Sequence, residues 1–285
     1  MLKFGLNILL IILSLNVNAQ GEAYYRRVMG CLASDSLQGR EGGTFYEQVA
    51  AKFILEEFSS IPNCRAKLQS FRFTKDSMRS KSQNIIAYFD HHAPKTLLLS
   101  AHYDHIGLGG DLSMSQGVHA VHNGADDNAS GVALMLGLAK ALSAECKTYN
   151  LLFVSYGAHE KGLYGSSNFF NKAKKYRSKL VLSINFDMVG RMKNNLFYTD
   201  GTDEIVDDIV KASNEQITFA KSTFDRINTL DSKWFFQDGI PSLTFSTGRH
   251  IDYHKVSDDL EYINFEGMEI IHSTLQEWLI NWCKS

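Results

Sequence analysis

The sequence predicts a single three-layer α/β/α sandwich around a central mixed, largely parallel sheet. Two observations carry this. Three apolar runs, TLLLS, NLLFVS and LVLSIN, show little polar alternation, the mark of strands buried on both faces. Stretches of helical spacing separate them, as a layered α/β fold requires. The chain has 285 residues and is 44% hydrophobic, which suits one large domain with a substantial core.

The first twenty residues stand apart. Lys3 gives a basic start, LLIIL an aliphatic core, and Val17-Asn18-Ala19 a small-residue cleavage site. Residues 1–19 therefore read as a signal peptide, and 20–285 as the folded, exported domain, periplasmic or extracellular. A membrane anchor would need a span of about 20 residues, longer than this core. Glu22–Leu32 and Gly43–Phe58 read as helices, with the glycine-rich LQGREGG as a polar turn between them. Leu68–Phe73, Asn84–Phe89 and Thr96–Ser100 read as strands. Then follow a helix at Asn128–Leu142, a strand at Asn150–Ser155, a helix at Leu163–Lys174 and a strand at Leu180–Asn185. The remainder reads as a helix at Asp203–Ala212, a short helix at Asp231–Phe236, a strand at Ile240–Phe245 and a final helix at Ile263–Trp282. Met268, Ile271, Leu275 and Leu279 share one face of that last helix.

Composition excludes some partners. With 29 basic and 31 acidic side chains the net charge is −2, so no polyanion-binding surface and no nucleic-acid partner are expected. Cys31, Cys64, Cys146 and Cys283 form no CxxC pair, which argues against a thiolate metal cluster. Three pairings of the four remain open.

In open α/β sheets ligands bind beyond the carboxyl ends of the strands. The polar residues lie there. TLLLS leads into AHYDHIG, with His102, Asp104 and His105; NLLFVS into YGAHEKG, with His159 and Glu160; LVLSIN into FDMVGR, with Asp187. NGADDNASG, with Asp126 and Asp127, precedes a helix, and TGRHIDYHKVSDD, with His250, His254 and Asp258, follows the last strand. Imidazoles and carboxylates together suit zinc. In an extended segment His102 and Asp104 fall on one side, so the Asp104 carboxylate is expected to orient the His102 ring. His105 is expected to be a satisfied loop histidine. One of Asp126 and Asp127 is expected to cap the following helix, and Asp258 and Asp259 to cap or solvate the segment before the final one. Arg191 and His250 receive no chemistry.

AHYDHIG, GADDNASGVA, HEKGLYGS, NFDMVG and DYHKVSDD together resemble the M28 family of zinc aminopeptidases, in the family's order from Ala101 to Asp259. The resemblance implies a short catalytic domain without a protease-associated insertion, and two Zn2+ ions. His102 and Asp187 would hold one zinc, Glu160 and His254 the other, and Asp127 would bridge them, with a cis peptide bond to Asn128. A water between the metals would attack the first peptide bond of a peptide with a free N-terminus. Another first-row divalent metal could take the place of zinc.

The family pattern has two adjacent glutamates where this chain has His159-Glu160. The first is the general base. Three alternatives follow. His159 is itself the base, since imidazole titrates in a useful range. Or metal binding persists without turnover, in a peptide-binding module. Or His159 is an extra metal ligand. A glutaminyl cyclase-like enzyme is a further alternative within the resemblance. Tyr253, Phe224, Trp234, Phe235 and Phe236 are aromatic candidates for pocket walls, each equally placed for the core.

Overall fold

The computed structural model describes residues 21–222 and 227–284. The signal-peptide reading and Phe224 lie outside them. The described chain forms an eight-stranded mixed sheet with helices on both faces, the predicted sandwich.

Helical residues 21–32 (α1) and Phe45–Ser59 (α2) precede a hairpin of β1 (Arg65–Lys75) and β2 (Met78–Phe89). Thr44 starts α2 by accepting the Glu47 N–H on its hydroxyl. Asp76 and Ser77 both take positive φ, the geometry of a two-residue hairpin turn. β1 and β2 run beyond their predicted bounds because their outer halves face solvent and carry no apolar run. The predicted strands at 96–100, 150–155, 180–185 and 240–245 correspond to β3 (Thr96–His102), β4 (Asn150–Tyr156), β5 (Leu180–Phe186) and β8 (Ser242–Ser246). β6 (Leu196–Gly201) and β7 (Thr218–Lys221) were not legible: they are short and part-buried, and neither carries an apolar run longer than three residues.

The strand order is β1-β2-β4-β3-β5-β8-β6-β7. β3, β4, β5 and β8 are parallel to one another; β2 joins β4 and β6 joins β8 antiparallel at the two borders, with β1 antiparallel to β2 and β7 parallel to β6 outside them. Alternate residues of the central strands feed two cores. Leu97, Leu99, Leu151 and Phe153 pack with α1, α2, α3 (Gly131–Glu145) and α8 (Phe265–Lys284). Leu98, Leu152 and Val154 pack on the other face against Phe169 of α4 (Tyr164–Lys172) and Phe235 of α7 (Lys233–Gln237), with α5 (Lys174–Arg177) alongside. A helix α6 (Asp203–Val210) adds Val206 and Ile209 to the larger core.

Cys146, just past α3, is disulfide-bonded to Cys283 in α8, and Cys31 and Cys64 are free thiols. Of the pairings left open, this single bond is the one formed. No helix among the described residues is long and apolar enough to cross a membrane.

Candidate metal centre

Parallel strands deliver the site. β3 ends on His102, β4 runs out into His159 and Glu160, and β5 into Asp187. The loop after β8 returns with His254, and the segment before α3 brings Asp127, whose peptide bond to Asn128 is cis. Gly165, at the start of α4, lets the loop at 157–165 close up, since a Cβ there would lie 2.2 Å from the Gly157 carbonyl oxygen.

Asp127 stands between two sets of donors. On one side His102 Nε2 is 3.4 Å from Asp127 Oδ1 and 3.6 Å from Asp187 Oδ2. On the other, His254 Nε2 is 3.2 Å from Asp127 Oδ2 and 3.1 Å from Glu160 Oε1. All five residues are buried or nearly so. Burial opposes charge throughout, yet the ion pairing overcomes it: His254 is pushed up to about 10 and Asp127 is held well below the usual carboxylate range.

Two of these donor atoms, His102 Nε2 and Asp187 Oδ2, are buried without a hydrogen-bond partner. An unsatisfied buried group costs about 1–3 kcal/mol, and these two face each other around a shared space. Imidazole nitrogens and carboxylate oxygens at such spacing are a donor set for zinc or a similar divalent ion. The residues fit the expected metal.

The ring nitrogens away from the cluster are held. His254 Nδ1 bonds the Leu112 carbonyl at 3.0 Å. His102 Nδ1 meets the main-chain carbonyl of Asp104 at 3.2 Å, while the Asp104 carboxylate is 3.9 Å away. The expected role of Asp104 is therefore corrected. β3 stops at His102, so the extended spacing that would align the two side chains is lost. The Asp104 carboxylate instead accepts the N–H groups of His159 (2.8 Å) and Glu160 (3.1 Å) and clamps that loop.

Other expectations also change. His105 is fully buried, and neither ring nitrogen has a hydrogen-bond partner, the opposite of a satisfied loop histidine. Asp126 caps nothing: its Oδ1 accepts the Gly190 N–H and the Ser130 hydroxyl, and Asn128 Oδ1 receives the Gly131 N–H at the start of α3. Asp258 is buried and accepts the N–H groups of Asp126 and Asp127, fixing the central carboxylate from behind. Arg191 lies 3.5 Å from Asp258 and 3.3 Å from Asp252, and His250 lies 3.2 Å from Asp126.

Two residues were missed altogether. Arg40, read as part of a polar turn, is fully buried within a 3-10 turn at Asp35–Arg40. Its guanidinium donates to the carbonyls of Leu32, Tyr103, Asn123, Gly124 and Asp127. Burial lowers it to about 10, and the surrounding carboxylates keep it charged at neutral pH. Asp231 is the second: its carboxylate is 2.8 Å from His159 Nδ1. Burial and the adjacent His102 ring push the His159 pKa down, and the carboxylates of Asp231, foremost, and Glu160 together outweigh them, leaving it raised to about 9.

The centre opens into a cavity of about 820 Å³. Asp127, His159, Glu160 and Asp187 form its floor, and Met188, Leu196, Tyr198, Leu230 and Tyr253 are among its apolar walls. Of the aromatic candidates Tyr253 lines it; Phe235 belongs to the core instead, and Trp234 bonds Ser166.

Known proteins share this arrangement of strands and loops. Aminopeptidase YwaD of Bacillus subtilis is 27% identical over 188 residues, which cover 62% of this chain and 38% of that protein. The chain spans half or less of the length of this and the next two curated relatives it matches. Among solved structures, a Zn-dependent exopeptidase from Parabacteroides distasonis superposes with a TM-score of 0.75 at 19% identity, covering 92% of this chain and 97% of that one. The glutaminyl cyclase of Porphyromonas gingivalis also superposes at 0.75, with 18% identity over 93% and 98% of the two chains. At such identities the structures establish a common fold. The family model for peptidase family M28 matches residues 84–279, from the middle of β2 to α8, and so takes in every strand end of the metal centre: the chain belongs to peptidase family M28.

Proposed function

We propose that this protein is a metal-dependent aminopeptidase, removing the first residue of peptides with a free N-terminus. The observation that carries the reading is the sharing of Asp127 between two donor sets at the floor of an open cavity. His102, Asp187 and Asp127 would hold one zinc ion, and Glu160, His254 and Asp127 a second. Bound there, zinc supplies Lewis-acid polarisation of the scissile carbonyl and a lowered pKa for the attacking water.

The proton falls to His159. A carboxylate only accepts, so the bond to Asp231 keeps a proton on Nδ1, and it is Nε2 that offers a lone pair once the ring has lost its second proton. His159 lines the cavity, its side chain 12% exposed. Its ring is stacked parallel to that of His102, so their in-plane lone pairs do not converge on one ion. These features favour a base over an extra ligand. His159 takes a proton from water in the cavity and returns it to the leaving amine, with Asp231 holding the tautomer.

The test is release of the first residue from unblocked and N-acetylated forms of one peptide by zinc-loaded protein. Cleavage of the unblocked form alone supports the reading. Equal cleavage of both, or of neither, overturns it. A glutaminyl peptide in the same assay reports cyclisation by loss of its free amine without chain cleavage. We also infer export to the periplasm or the medium, on the signal-like residues 1–19 and the Cys146–Cys283 bond, which persists in oxidising compartments. Recovery of the protein in the cytosolic fraction with both thiols reduced would overturn that.

A further inference from the structure

We propose that His105 is a metal ligand, completing a four-donor site with Asp127, Glu160 and His254. The inference rests on the reading that the centre binds metal. It goes beyond the five donors expected from the sequence, and it makes the two sites unequal.

His105 lies on an isolated β-bridge with Glu41, just beyond β3. Its side chain is wholly inaccessible, and both nitrogens lack hydrogen-bond partners. A buried imidazole without partners is costly, and its position is not accidental. Nδ1 faces two carboxylate oxygens, at 3.6 Å from Glu160 Oε1 and 4.0 Å from Asp127 Oδ2. Those distances exceed a hydrogen bond. They are close to the separation of ligand atoms around one ion: bonds of about 2.0–2.1 Å to a tetrahedral zinc put neighbouring donors about 3.3–3.4 Å apart. The two contacts of His254, at 3.1 and 3.2 Å, belong to the same figure.

Ring orientation agrees. His105 and His254 stand edge to face, with centroids 5.5 Å apart and planes at 85°. Planes that cross allow two in-plane lone pairs to meet at a point, which the stacked His102 and His159 rings do not. The ring is also seated deliberately. Gly124 takes a positive φ of 57°, and a Cβ there would lie 2.5 Å from two His105 ring atoms. Ligation accounts for Nδ1; Nε2 keeps the proton of the neutral ring.

The consequence is asymmetry. Asp127, Glu160, His105 and His254 offer four protein donors, the count of a closed zinc site. Asp127, His102 and Asp187 offer three, the count of a site with a position left for water or substrate. The first zinc ion should enter the four-donor site, and substrate should meet the other ion.

X-ray absorption of the zinc protein tests this without mutation. At one equivalent the spectrum should show two imidazoles on the ion; with both sites filled it should show three imidazoles shared by two ions. One imidazole at one equivalent, and two shared by two ions, would overturn the proposal. Chelator competition supplies a second readout. His105→Ala should weaken the tighter site at least tenfold and leave the weaker one unchanged, with His105→Gln as the variant that keeps the volume. Wild-type affinities in either folded variant would also overturn it. These readouts are separate from turnover: a protein that shows two imidazoles and cleaves nothing would refute the aminopeptidase reading and leave this inference standing.

Discussion

The imidazole of His159 lies flat on that of His102, with ring centroids 3.7 Å apart and planes inclined by 9°. Each ring's lone pair lies in its own plane. An ion in the plane of His102 is therefore displaced from the plane of His159 by most of the stacking distance. Although His102, His159 and Asp187 can bring donor atoms within 4.8 Å of one another, the stacking separates their roles. His159→Ala should accordingly lower kcat by about 10²–10⁴-fold, the usual worth of a general base, while bound zinc per chain is unchanged. Kinetics and elemental analysis on one sample check this. Loss of one zinc equivalent would make His159 a ligand, and unchanged kcat would remove it from the mechanism. His159→Glu restores the family's usual carboxylate; higher activity there than in the parent would mean that imidazole is the poorer base at this position.

Asp231 acts through His159 and should show itself in the pH profile. Its charge raises the imidazole pKa, against burial and the His102 ring. In Asp231→Asn that support is gone, so the free imidazole loses its proton at lower pH. The acid limb of kcat/KM should move to lower pH, and the plateau should fall because the amide no longer fixes the tautomer. A plateau loss with an unmoved acid limb would assign Asp231 a purely structural part.

The disulfide closes a loop with a sequence separation of 137 and joins α3 to α8 across the face of the larger core. Long loops lose the most entropy when they are closed in the unfolded chain. Replacing Cys146 and Cys283 by serine should lower stability by about 2–4 kcal/mol. The measurement is urea unfolding of metal-free protein. Reducing agent should lower the parent toward the double variant and leave the variant itself unmoved. The free thiols Cys31 and Cys64 are present in both proteins, so an effect of reductant on the double variant would locate the sensitivity there.

The central strands and the strand-end polar groups were readable because each is written locally. An unbroken run such as TLLLS means burial on both faces, and the sheet rule then places His102, Glu160 and Asp187 on one edge. What escaped is written between distant segments. Asp231 meets His159 across a separation of 72 residues, and nothing in LDSKWFF marks it as a partner. Arg40 sits in a glycine-rich stretch that reads as solvated turn, yet its acceptors are main-chain carbonyls, which leave no trace in side-chain sequence. The two glycines beside LQGR-E were the available hint of a tightly folded loop. His105 was misread for a different reason: hydrogen-bond satisfaction is a property of neighbours, and its neighbours arrive from the ends of β4 and β8 and from the loop before α3. The HYD spacing failed because it assumed that β3 continued through Asp104.

Glu47 gives a pH test that lies away from the metal donors. Its carboxylate in α2 is wholly buried and accepts from the Gly43 and Ala158 N–H groups and the Ser82 hydroxyl. Burial, with Asp104 nearby, raises it to about 8 from an ordinary value of 4.5. The folded protein therefore keeps this proton over a pH range in which the unfolded chain has released it. Where the native state binds more protons, stability falls as pH rises. The contribution is fully present below the unfolded value and is lost as pH climbs toward the folded one. Glu47→Gln removes this loss; its amide oxygen can accept from Ala158 and Ser82 as Oε1 does, while its NH2 cannot accept the Gly43 N–H, a pH-independent cost that leaves the trend intact. The variant's Tm relative to the parent should therefore rise from pH 5 to pH 8, measured without metal. A difference that stays constant over that range would show that Glu47 does not hold its proton in the folded state, and that its three donors keep it ionised.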